Sequence, residues 1–398
     1  MNTRIVYAVL IAILFAGCGN RRTKVPHSDK RFVAIDSFEI QTGFMPSSVY
    51  SGFVQVGDSG YLYLANLLVH DSIHFYTYPE LKKRKVIPLT TIMDRGYELY
   101  NIQVASLDSI MLMGRYHNIL FTIDDKGNII NERDLNPLAD ADSFHIDLDL
   151  LRGNNQNLFT FNGKQYLLLN AANSSVKPYP QSSVADAYRL YGSRYTDPSL
   201  ALYSLNDNTL RLDSLALFRP LNPEGKFMTT NALYGYVRFQ NNVLLLTPTS
   251  DTLYVINPER LSLERKIQIT YSEMDKIGAK PTPISEENIA NASKLFTESM
   301  LKGGYLSYLF TDWEHTHVFV AIIPSRSQEE IDNKTDKGIT FIVLDRNLEP
   351  VDEEYFFSPT TRVGFNIAVS NGFLFSLDTP NNPNFDETKA RFALYRYE

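Results

Sequence analysis

The chain has 398 residues, with 38 Lys+Arg against 45 Asp+Glu and a formal net charge of -7; it is 44% hydrophobic and 21% charged. Its one cysteine excludes a disulfide framework, a zinc ribbon and a cysteine-ligated iron–sulfur cluster, and the apolar content excludes a disordered chain. The mildly acidic balance argues against a broad phosphate-binding face, so nucleic acid is not an expected partner.

At the N-terminus, Arg4 precedes an uncharged run from Ile5 to Ala16. A membrane-spanning helix needs roughly 20 apolar residues, so this run has the length of a signal-peptide core instead. Ala16 and Gly17 then precede Cys18. The pattern looks like a bacterial lipobox, which implies a signal peptide over 1–17, acylation of Cys18 and anchoring to a lipid bilayer. Residues 18–30 are polar and aperiodic, and read as a flexible tether. In the sorting logic of such lipoproteins, the lack of Asp after Cys18 and the presence of Arg21, Arg22 and Lys24 favour the periplasmic face of the outer membrane over the cell surface.

From Phe32 onward, short runs of Tyr, Phe, Val, Ile and Leu alternate with Asp, Asn, Gly and Pro punctuation, the signature of an all-β chain. No long helix alternates with the strands, which excludes doubly wound folds. A loose repeat recurs, in which an apolar strand enters an Asp- or Asn-containing turn and a second strand leaves it. It appears at Asn118–Ile130, at Asp251–Pro258 and at Phe341–Leu348. Strand groups fall over 50–90, 97–135, 144–218, 231–270, 305–358 and 362–398. They predict a six-bladed β-propeller over 31–398, with seven blades as the next choice and a two-domain β-sandwich as the alternative. The strand 32–40 has no local partner and the chain ends inside 391–397, so pairing the two would close the ring. One helix is expected over 285–302, with Ser285 as its cap and a stripe of Ile289, Ala292, Phe296 and Met300.

With leader, strands and repeat together, the chain resembles uncharacterised Bacteroidetes lipoproteins of the six-bladed, TolB-like propeller type, a domain of unknown function. The resemblance rests on the end at Cys18, on Leu107-Asp108-Ser109-Ile110 and on the three repeat segments above. It implies a propeller in the cell envelope and carries over no catalytic residue.

The sequence holds no dinucleotide fingerprint, P-loop, HExxH or GxSxG motif, and no cofactor is expected. Asp124-Asp125-Lys126-Gly127-Asn128 superficially resembles a calcium loop, but Lys126 stands where a cation needs oxygen, and turn chemistry accounts for the rest. The densest polar cluster is Asp312-Trp313-Glu314-His315-Thr316-His317. If extended, it would put His315 and His317 on one face as two weak candidate zinc ligands; a water-facing turn is the plainer reading. Trp313, the sole tryptophan, would serve at a propeller mouth to stack on a sugar or anchor a protein. The second candidate is 176–199, where Tyr179, Tyr188, Tyr191 and Tyr195 accompany Arg189 and Arg194 in a long loop suited to binding, or to covering a blade edge. Three functions follow. The first is a noncatalytic platform for a protein, peptide or glycan. The second is a polysaccharide- or peptide-acting hydrolase or lyase using Asp312 and Glu314, and the third is a structural component of an outer-membrane assembly. The chain is expected to be a monomer or part of an envelope complex.

Overall fold

The structure is a computed structural model. It describes residues 30–48, 50–114, 117–139, 146–150, 157–173, 200–215, 226–227, 235–246, 251–270, 282–283, 285–333, 337–356, 358, 360–378 and 382–398. Residues 1–29, with Cys18, and the tyrosine-rich stretch 176–199 lie outside them.

Six antiparallel sheets follow one another along the chain and form a ring, a six-bladed β-propeller. The first blade is Gly52–Val56, Ser59–Ala65, Ser72–Tyr78 and Lys83–Pro88, counted from the innermost strand outward. The second is Leu99–Ser106, Ser109–Gly114, Ile119–Ile123 and Ile129–Asp134. In the third the innermost position is shared by Ile146–Leu150 and Leu158–Phe161. Both pair with Lys164–Asn173, which is followed by Leu200–Ser204 and Thr209–Leu212. The fourth is Gly235–Phe239, Asn242–Leu246, Thr252–Asn257 and Ser262–Gln268. The fifth is Tyr305–Thr311, Val318–Ile323, Ile339–Leu344 and Pro350–Phe356. In the sixth, Arg362–Val369, Gly372–Ser376 and Lys389–Tyr397 are completed by Phe32–Gln41, which arrives from the other end of the chain.

Sequence explains the layering within a blade. Middle strands are apolar at consecutive positions because both faces are covered: Leu200–Ser204 is buried throughout, and so is Val318–Ile322. Outer strands carry charge where they meet water, as in KRKVIP at Lys83–Pro88 and IINERD at Ile129–Asp134, which blunts exposed edges against further pairing. The hairpin of the third blade turns on Asn162 (φ 50°) and Gly163 (φ 76°). Two consecutive left-handed residues match the twist of the flanking strands.

Packing closes the circle. There is one apolar cluster per interblade gap: Ile73, Ile87 and Ile110 between the first and second blades, and Met113, Leu167 and Tyr203 between the second and third. Leu168, Leu202 and Leu245 fill the third gap, Leu244, Leu306 and Val320 the fourth. Phe310, Phe341 and Phe375 fill the fifth, and Leu62, Ile367 and Phe392 join the sixth blade back to the first. Two separate sandwiches would leave two of these gaps empty, so the sandwich alternative is incorrect.

Phe32–Gln41 pairs antiparallel with Lys389–Tyr397, and Arg31 and Glu398 exchange both backbone hydrogen bonds just beyond the last pair. Phe32 packs at 5.0 Å from Phe341 and 5.2 Å from Phe319, both in the fifth blade, and at 5.8 Å from Phe375 of its own. The helix expected over 285–302 is two helices, Glu286–Ala290 and Ala292–Gly303, divided at Asn291. Ser285 Oγ accepts the Asn288 N–H at 3.1 Å, and Gly304, at φ 68°, follows the end. The side chains of its predicted stripe are outside the description.

The connections sort into two faces. Turns joining the first to the second strand of a blade, and the third to the fourth, share one face, where they bond across blades. Asn162 Nδ2 donates to Glu259 Oε1 at 3.2 Å, and Gln240 Nε2 to the Arg346 carbonyl at 3.1 Å. These turns are short. The opposite face holds the longer connections, including those that bridge blades, and the strand ends Asn173 and Leu200 that border the tyrosine-rich stretch.

Candidate functional site

Residues 312–317 form the turn between the two inner strands of the fifth blade, Tyr305–Thr311 and Val318–Ile323. Asp312 organises it. Its Oδ1 accepts the N–H groups of Thr316 (2.6 Å) and His317 (3.2 Å), and its Oδ2 receives Thr316 Oγ1 and His317 Nδ1, the latter at 3.1 Å. Burial pushes the Asp312 carboxyl up, but the bonds from His317 and Thr316 outweigh it and hold the carboxyl below its ordinary value. Asp312 is therefore an ionised staple for the turn, with its acceptor sites committed, while Glu314 is exposed to solvent.

The two histidines do not share a face. His315 has φ 51°, a left-handed conformation that breaks strand alternation. Its ring lies 6.3 Å from Phe239 in the fourth blade, whereas the His317 ring lies 5.5 Å from Tyr397 in the sixth. Burial, with the Arg238 charge adding to it, lowers the pKa of His315, so its ring is neutral at physiological pH. Among the described residues no group of three or more His, Cys, Asp or Glu is placed to hold a metal ion. The Asp124–Asn128 loop is likewise a turn. Asp124 Oδ1 accepts from Lys126 N and Asn128 N, each at 2.8 Å, and Gly127, at φ 83°, leaves no room for a side chain against the Pro88 carbonyl.

Trp313 is held differently. Its ring meets Phe53 of the first blade edge-on at 4.8 Å, although the fifth and first blades are not neighbours. Such a contact is made only where innermost strands converge, so the turn roofs the axial end of the ring. Phe53 is buried and packed on Tyr78 at 5.5 Å, while Trp313 keeps 38% of its surface exposed. Tyr308, exposed on the innermost strand of the same blade, lies against Gly364 of the next, where any Cβ would collide with the phenol. The turn thus presents one partly open aromatic ring, Trp313, at this end while its histidines contact blades on both sides. Beside it, between the third and fourth blades, Arg238 stacks 4.7 Å from the Phe159 ring centroid and donates to the Leu158 carbonyl at 3.0 Å. This forms one wall of a cleft of about 380 Å³.

Sequence reading missed a polar chain in the first blade. His70 Nδ1 contacts Ser72 Oγ at 2.8 Å, Ser72 Oγ contacts His74 Nε2 at 3.1 Å, and His74 Nδ1 reaches Tyr76 Oη at 3.4 Å. Phe44 packs against both imidazoles, tilted to His70 at 4.6 Å and edge-on to His74 at 5.0 Å. The signal was present as alternation, four polar or aromatic hydrogen-bonding residues at steps of two in HDSIHFY. Burial, then the charges of Lys83 and His70, lower the His74 pKa to about 4, and burial raises that of Tyr76 to about 12.

Comparison with known proteins adds to the fold. No family model matches the chain, and no curated protein matches it. Among solved structures, it is similar to a member of the DUF4221 family from Bacteroides vulgatus, at 15% identity and TM-score 0.67, over 93% of this chain and 98% of that one. It also aligns with an exported protein from Bacteroides fragilis described as putative, at 11% identity and TM-score 0.49, over 94% of this chain and 98% of the other. At such identities the first likeness shows a shared propeller fold and nothing further.

Proposed function

We propose that the protein is a noncatalytic binding platform in the cell envelope, held to the outer membrane by a lipid on Cys18, that engages a protein, peptide or glycan through the axial end of its propeller. The observation that carries this reading is Trp313, a large ring that is part-exposed yet fixed against the buried Phe53. Rigid aromatic anchors of this kind contribute most of the energy at many interfaces, because little motion is lost on binding. Asp312, one of the two carboxylates a hydrolase would use, is ionised and bonded within its own turn, which supports binding over hydrolysis. The full-length protein, purified in detergent and immobilised, should capture a partner from envelope extract that Trp313→Ala loses. An unchanged set of captured molecules would overturn the axial assignment. Intact-mass measurement of the envelope-purified chain should find Cys18 as the acylated N-terminal residue, and an unmodified thiol there would remove the anchor.

A further inference from the structure

A second cleft lies on the opposite face, away from Trp313. It is open, about 780 Å³ in volume, and is bounded by Ser37–Glu39 of the closing strand and by the segment from Asn382 to Arg391 of the sixth blade. Its size is that of a small-ligand site. The charges around it are already answered. Glu39 receives Lys389 Nζ at 2.7 Å and Arg391 Nε at 2.8 Å, and these bonds hold its carboxyl below the ordinary value. Lys389 Nζ also lies 3.8 Å from Asp386. A charged ligand of either sign would meet an opposing charge beside each attractive one, so the lining favours a neutral ligand.

At this lining and behind it, two buried polar atoms have no hydrogen-bond partner among the described residues. Arg391, only 9% exposed, bonds Glu39 through Nε but leaves its buried Nη1 unsatisfied. Asp378, 4% exposed, accepts the Arg391 backbone N–H through Oδ2 at 3.1 Å and leaves Oδ1 unsatisfied; burial raises its pKa. Orphaned buried groups are costly and rare, and here a donor and an acceptor occur on adjoining residues. Arg391 is the one of the two that lines the cleft, and a hydroxyl, which accepts as well as donates, would supply the acceptor it lacks. Around them the cleft offers the exposed amide of Asn384 and the rings of Phe38 and Phe385, which suit the apolar C–H face of a sugar.

We propose that this cleft binds a neutral saccharide, whose hydroxyls engage Arg391 and Asn384 while its ring face packs on Phe385. The proposal stands apart from the axial site and does not rest on it. The test is to apply the full chain in detergent to an array of neutral and acidic glycans, then measure the best neutral glycan by calorimetry beside a neutral pentapeptide. Binding of a neutral oligosaccharide is expected. Phe385→Ala and Asn384→Ala should each weaken it at least ten-fold without moving the melting temperature, and Trp313→Ala should leave it unchanged. No neutral glycan bound, tighter binding of acidic glycans or of the pentapeptide, undiminished binding in both cleft variants, or loss in Trp313→Ala would each overturn the proposal.

Discussion

The ring of Phe32 sits 5.0 Å from that of Phe341, so the outermost strand of the sixth blade, Phe32–Gln41, is keyed into the fifth. The closing strand therefore does more than pair with Lys389–Tyr397. It plants its first side chain in the aromatic cluster that joins the last two blades. Ladder and ring together tie the two ends of the chain, and the circle is held shut by both.

Truncating that key should open the closure. Removing a buried phenylalanine costs about 3–5 kcal/mol from lost transfer energy and the cavity left behind. Phe32→Ala is expected to lower the unfolding free energy from urea denaturation by an amount in that range and to expose the Arg31–Gln41 backbone to rapid hydrogen exchange. A change under 1 kcal/mol, with exchange unaltered, would show that pairing alone closes the ring.

The Asp312 staple makes its own prediction. Asp312→Ala leaves the N–H groups of Thr316 and His317 without their acceptor, at a cost of about 1–3 kcal/mol. The folded carboxyl has a lowered pKa, so its contribution is present above the unfolded value and is lost as pH falls through the folded one. The loosened turn should also red-shift the emission of Trp313. Unchanged emission in a variant with unchanged stability would mean the turn is held by other contacts.

His74 should make the protein acid-sensitive. Its folded pKa of about 4 lies below the unfolded value of 6.5, so between these limits the unfolded chain binds more protons. Stability is then full above pH 6.5, falls as pH drops toward 4, and loses on the order of 3 kcal/mol across that window. His74→Gln should be less stable at neutral pH yet show a shallower decline of melting temperature over the same range. Parallel declines would exclude His74 as the titrating group.

Gly127 is expected to resist substitution. Its φ of 83° disfavours any side chain, and a Cβ there would meet the Pro88 carbonyl oxygen at 2.1 Å, an atom of backbone that cannot swing away. Gly127→Ala should cost at least about 1 kcal/mol in chemical denaturation, more than the same change at Gly57, where the Cβ would have open space. Equal costs would show that the second blade shifts to make room.

What was legible followed from local chemistry. Strand boundaries and the six groups could be read because each blade repeats apolar runs between Asp and Asn turns, as at Phe341–Leu348 with its Asp345–Asn347 bend. The helix over 285–302 was legible as a periodic stripe. Its division at Asn291 was not, since Asn is tolerated within a helix and only tertiary packing decides where it breaks. At the candidate site, the sequence pointed to Trp313 but not to Phe53, because that contact joins blades with no sequence proximity. Treating His315 and His317 as one face failed at a single left-handed residue. The Arg391–Asp378 pair was invisible because burial, not residue type, makes it unusual.

Because Trp313 is the chain's sole tryptophan, its fluorescence reports on the axial end without labelling. The most direct measurement is acrylamide quenching of that emission before and after addition of the partner recovered from envelope extract. Binding at the axial end should shift emission to the blue and reduce the quenching constant at least two-fold. An unchanged spectrum and quenching constant at saturating partner would contradict the account.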